Sequence, residues 1–63
     1  MSMTLRAARI NRGLKQSEVA VKLKVDRKTI SSWEQGKTMP RIDKINALCE
    51  LLDVAYDDIR WKH

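Results

Sequence analysis

Phenylalanine is absent from these 63 residues, and only three aromatic side chains occur, Trp33, Tyr56 and Trp61, so the core this chain can build is aliphatic. A single cysteine, Cys49, excludes an intramolecular disulfide. Cys49 and the lone His63 together fall short of the ~4 ligands of a structural zinc site. Glycine appears only at 13 and 36 and proline only at 40, so few breaks separate the regular segments. No apolar run approaches the ~18 to 20 residues that span a bilayer, and the start, Met1 to Arg6, lacks the apolar stretch of a signal peptide. The expectation is a cytoplasmic chain. At this length a chain buries only about 60% of the surface it exposes when unfolded, which leaves room for one domain, residues 1–63.

What is present in excess is positive charge. Thirteen Lys and Arg against eight Asp and Glu give a formal net charge of +5, a balance suited to a polyanionic partner. The excess is not spread evenly. Residues 1–41 carry ten basic and three acidic side chains, whereas residues 42–63 are net acidic. One basic face built by the first two thirds of the chain is the reading.

Between the glycines and the proline the hydrophobic spacing is helical throughout. Residues 4–12 set Leu5, Ala8 and Ile10 to one side, with Gly13 as the stop. Residues 16–23 place Val19, Ala20 and Leu23 on an inward stripe. Lys24-Val25-Asp26 then breaks the pattern, and Asp26, an N-cap residue type, starts a third helix over 27–35. Residues 42–52 present Ile42, Ile45, Leu48, Cys49 and Leu52 to the core. A fifth short helix is predicted over 56–61. No segment alternates with period two over a strand's length, so the expected fold is all-α, a compact bundle of five short helices.

Helices 16–23 and 27–35, joined by three residues, form a helix-turn-helix arrangement. With Ile30 pointing inward and ~100° per residue, Trp33 and Glu34 lie within about 60° of it. Lys28, Ser32 and Gln35 lie at roughly 160°, 200° and 140°, on the opposite side. Arg27 stands at the N-terminal tip. Such a donor-rich strip, two turns long, suits a DNA major groove about 12 Å wide, where Arg and Lys read guanine O6 and N7. The plainer alternative is a solvated polar face.

The run Gly13-Leu14-Lys15-Gln16-Ser17-Glu18-Val19-Ala20, then Leu23, Val25, Thr29-Ile30-Ser31, Trp33-Glu34-Gln35-Gly36-Lys37 and Pro40, resembles the lambda-repressor-like helix-turn-helix family of phage repressors and Cro proteins. The resemblance spans residues 5–59. It implies that the third helix enters the major groove, with Arg27, Lys28 and Ser32 at the base-reading positions. It implies that Gln16 touches a phosphate and buttresses the first reading residue. It assigns backbone contacts to Gln35, Lys37 and Thr38, and it lets Arg41 approach the minor groove. It also matches Arg9 and Glu34 to a salt bridge between the first and third helices, although Glu34 on its own could simply offset local positive charge.

The departures from the family pattern carry their own expectations. Lys24 occupies a turn position where the family usually has Gly, a place that tends to need positive φ. Lys15 and Arg41 stand where Ser or Thr would cap helices, and each is offered instead as an added phosphate contact at some loss of stability. Trp33 and Cys49 read as core packing. Trp61 either closes the core or faces a second subunit, and Tyr56, Ile59 and Trp61 together are the candidate dimer contact.

The function expected is sequence-specific binding of double-stranded DNA by a transcriptional regulator. A repressor acting as a weak homodimer, completed on a palindromic operator, is the leading form. A DNA-binding antitoxin working with a protein partner is the alternative, with the apolar end near Trp61 as its docking surface. No cofactor, metal, small-molecule ligand or membrane is called for. Enzymatic activity is not expected. There is one histidine, one cysteine and no glycine-rich loop, and Asp57 and Asp58 are neighbours that point apart. RNA binding would need exposed aromatic platforms for unpaired bases.

Overall fold

The computed structural model describes residues 2–61. Chain order is β1 (Met3–Thr4), α1 (Leu5–Asn11), α2 (Gln16–Leu23), α3 (Arg27–Glu34), α4 (Ile42–Leu52), a single 3₁₀ turn at Tyr56–Asp58, and β2 (Ile59–Arg60). His63, weighed above as a metal ligand, lies outside the described residues. No helix among them is long and apolar enough to cross a membrane.

Each helix begins and ends for a local reason. The Thr4 hydroxyl accepts the Ala7 N–H at 3.0 Å and caps α1. After α1, Gly13 takes φ +71, and the N–H groups of Gly13 and Leu14 close onto the carbonyls of Ile10 and Arg9. A residue with a Cβ would be strained there. The same closure ends α2, but with Lys24 in the left-handed region, φ 60 and ψ 44, and the Val25 N–H on the Ala20 carbonyl at 3.0 Å. The N-termini are less well served. Among the described residues, Lys15, Asp26 and Arg41 all have the extended N-cap backbone, yet none contributes a side-chain hydrogen bond to its helix. The expected Asp26 carboxylate cap is therefore not formed. At α2 the compensation comes from Glu18, whose carboxylate accepts the Lys15 backbone N–H at 2.8 Å.

The core joins all four helices: Leu5 and Ala8 of α1, Val19, Ala20 and Leu23 of α2, Ile30 and Trp33 of α3, and Leu48 and Leu52 of α4. Lys44 ties α4 to the turn region, its Nζ donating to the Leu23 carbonyl at 2.8 Å. A cation at that helix end also complements the dipole of α2.

Further expectations are corrected. There are four α-helices rather than five, because the chain after Tyr56 leaves helical geometry. Residues Ile59–Arg60 pair in parallel with Met3–Thr4, in the register Met3 with Ile59 and Thr4 with Arg60. Extended backbone turns Ile59 into the core and Arg60 out, and it gives the two chain ends backbone hydrogen-bond partners that one isolated helical turn would lack. Ile10, placed on the inner side of α1, is 54% exposed. It sits about 140° from Leu5, whereas Arg9 sits only about 40° away and takes the inward flank. Ile42 is 70% exposed and Cys49 half-buried. The stripe that Ile45, Leu48 and Leu52 form is centred away from both, and Ile42 lies in the first turn of α4.

Candidate nucleic-acid interface

Helix α3 presents two unlike faces. Ile30, Trp33 and Glu34 are buried, while Arg27, Lys28 and Gln35 are exposed and Ser32 is half-buried. The burial pattern follows from the 3.6-residue period acting on this sequence, with the inward side packed against α2. Lys37, Thr38 and Arg41 are exposed on the segment after α3, and Lys15 is exposed just before α2. Gln35 is not free, since its Nε2 donates to the Ser31 Oγ at 2.7 Å.

A polar network underlies this face. Arg9 and Glu34 form a salt bridge between α1 and α3, with side chains only 12% and 4% exposed. The Arg9 Nε donates to Glu34 Oε2 and its Nη2 to Oε1 at 3.2 Å, a two-pronged geometry that suits a planar guanidinium. The Arg9 Nη1 meets the Leu14 carbonyl at 2.8 Å and so fastens the α1–α2 loop. Gln16 joins in from the first residue of α2, its Nε2 donating to Glu34 Oε1 at 3.0 Å. The Gln16 Oε1 then accepts from Arg27 Nη1 at 3.2 Å. Among the described residues no buried side-chain nitrogen or oxygen lacks a partner, which is what makes a charged pair tolerable at this depth.

Beside the network opens a polar cleft of about 490 Å³ lined by Arg6, Arg9, Gln16, Ser31, Glu34 and Gln35. Two of these, Arg6 and Ser31, have no site role in the sequence reading, although Ser31 belongs to the family motif. The signal was available for Arg6, which precedes Arg9 by one helical turn and shares its side of α1. The hydrophobic period of α3 does not mark Ser31, because it lies between the buried and the outward sectors.

At the far end, Tyr56 is 51% exposed and its ring stacks on Trp61, with centroids 5.7 Å apart and an interplanar angle of 21°. The Trp61 Nε1 donates to the Tyr56 carbonyl at 3.1 Å, and Trp61 packs half-buried against the core. Ile59 does not belong with them as a contact residue. It is a core side chain, 5% exposed, because the strand backbone turns it inward. Cys49 stands near this end of α4, and burial, helped by the negative charge of Asp58, raises its thiol pKa above the usual value.

Two short helices locked through an apolar seam and a left-handed turn, the second showing a basic and amide-rich outer face, define a helix-turn-helix domain. Residues 5–59 match the helix-turn-helix family profile. The chain belongs to the lambda-repressor-like helix-turn-helix family, a family of DNA-binding transcriptional regulators. Among known proteins it is similar to the 26 kDa repressor protein of Escherichia phage HK022, with 45% identity over 38 residues. That alignment takes in 60% of this chain and 16% of the phage repressor.

Proposed function

We propose that this domain binds a specific double-stranded DNA operator as a repressor, with α3 in the major groove. Arg27, Lys28 and Ser32 read base edges. Lys15, Gln16, Gln35, Lys37, Thr38 and Arg41 hold the sugar-phosphate backbone, which sets register without reading sequence. The observation that carries this reading is the two-sided α3, whose outward residues coincide with the positions the family uses for DNA. The basic excess of residues 1–41 supplies the sequence-independent attraction.

Two copies related by a two-fold axis would place their reading helices one DNA turn apart, about 34 Å, on a palindrome. Tyr56 and Trp61 are the side chains we assign to contact between the copies, with the pairing weak until DNA aligns them. Ile59's place in the core also shrinks the apolar surface that an antitoxin's partner would need.

The test is selection from a randomised duplex pool at physiological salt. Recovery of an inverted repeat with half-site centres ~10 base pairs apart supports a two-fold repressor. Binding that disappears as salt rises, with no sequence enriched, leaves only attraction to phosphate and overturns the proposal.

A further inference from the structure

We propose that Glu34 is a positioning residue for sequence reading: through Gln16, its carboxylate holds Arg27 in place at the tip of α3. The inference rests on the DNA-binding reading above and extends it to a residue that contacts no base.

The argument is one of donors and acceptors. An ionised carboxylate only accepts, so the Gln16 group 3.0 Å from Glu34 Oε1 is the amide NH₂. The Gln16 carbonyl must then point the other way. A guanidinium only donates, and Arg27 Nη1 meets that carbonyl at 3.2 Å. The chain from Arg27 to Gln16 to Glu34 is therefore polarised in one direction, and Arg9 fastens its far end. Gln16 is half-buried and Arg27 exposed. Without this link Arg27 is a flexible side chain on the first residue of its helix.

Glu34→Gln changes one atom's chemistry and little of its shape. In the orientation that keeps the amide carbonyl on Arg9 Nε, the new NH₂ falls at the Oε1 position, against Arg9 Nη2 and the Gln16 NH₂. Donor then faces donor. Gln16 relieves the clash by rotating its amide, which presents NH₂ to the Arg27 guanidinium and breaks that link. A substitution buried under the helix is thereby read out at its surface.

The experiment starts from the site that native protein selects and measures binding to duplexes carrying each single base-pair substitution. Arg27→Ala identifies the step that Arg27 reads. Glu34→Gln is expected to lose discrimination at that step by about fivefold or more, the lower end of what one good base contact supplies, and to keep its preference at the others. In the Arg27→Ala background, Glu34→Gln should change discrimination no further. Gln16→Met, which cuts the link and leaves the Arg9–Glu34 pair intact, should lose discrimination at that same step, on top of a weakening common to all duplexes from its lost phosphate contact, and stands in for Glu34→Gln should that variant not fold.

Discrimination at that step kept in both Glu34→Gln and Gln16→Met, whatever the change in overall affinity, or an equal effect with and without Arg27, overturns the inference and leaves Glu34 a purely structural partner of Arg9. An Arg27→Ala variant that erases no step overturns it too. A native protein with no base preference at all overturns the DNA-binding reading, and this inference with it.

Discussion

Lys24→Gly should stabilise the domain, and the backbone says by how much. Lys24 holds φ 60 and ψ 44 between α2 and α3, where a Cβ crowds the following carbonyl at about 1 to 2 kcal/mol. Glycine removes that strain but frees the unfolded chain, which offsets about 0.4 to 1 kcal/mol. The net gain expected is about 0.5 to 1 kcal/mol. The hydrogen bonds of the turn survive, because they are made by the backbone of Lys24 and Val25 on the carbonyls of Val21 and Ala20. Thermal unfolding followed by circular dichroism should show a midpoint higher by about 2 to 8 °C for a domain of this size. Asp53 provides an internal comparison, since it ends α4 in the same region, at φ 56 and ψ 49. Aspartate tolerates left-handed backbone better than lysine, so Asp53→Gly should gain less. A Lys24→Gly midpoint at or below that of the native chain, or a larger gain at Asp53, would refute the assignment of strain to Lys24.

Breaking the Arg9–Glu34 bridge from one side, as in Arg9→Met, should cost about 3 to 5 kcal/mol, a large part of the ~3 to 9 kcal/mol a chain this long holds in total. The double change Arg9→Met with Glu34→Leu should recover much of it in urea titrations, because no buried charge is then left alone. Lys28→Ala is expected to relax preference at one base step, whereas Lys37→Ala should weaken all duplexes alike and lower the slope of log affinity against log salt by about 1. Lys15→Ser should add about 1 kcal/mol by supplying the cap that α2 lacks and should weaken DNA binding; stability gained with unchanged affinity would end the idea that Lys15 holds a phosphate. Cys49 should react with iodoacetamide at pH 8 more slowly in the folded chain than in urea, since its raised pKa leaves less thiolate. By the same linkage the unfolded chain ionises first, so stability should decline as pH climbs past the ordinary thiol range.

Local sequence is enough to set the helices of the proposed DNA interface. The limits of α2 and α4, the start of α3 and its inward and outward sectors follow from apolar spacing and from the residues that interrupt it. These are local properties, set by 3.6 residues per turn, and they need no knowledge of the rest of the chain. The family motif is local in the same sense, and it marked Lys24 as the strained turn residue and Arg9 with Glu34 as partners. Other features depend on segments far apart in the chain. The last residues pair with Met3 and Thr4 as strand because those residues sit beside them in the folded domain. Ile10 and Ile42 are left in water because the neighbouring elements cover other sectors of α1 and α4, while Arg9 occupies the inward flank instead. The family motif also implied that Gln16 supports Arg27, but the bond from Gln16 to Glu34 exists only where α1, α2 and α3 meet, and a hydrogen bond between residues 18 apart leaves no periodic trace in the sequence.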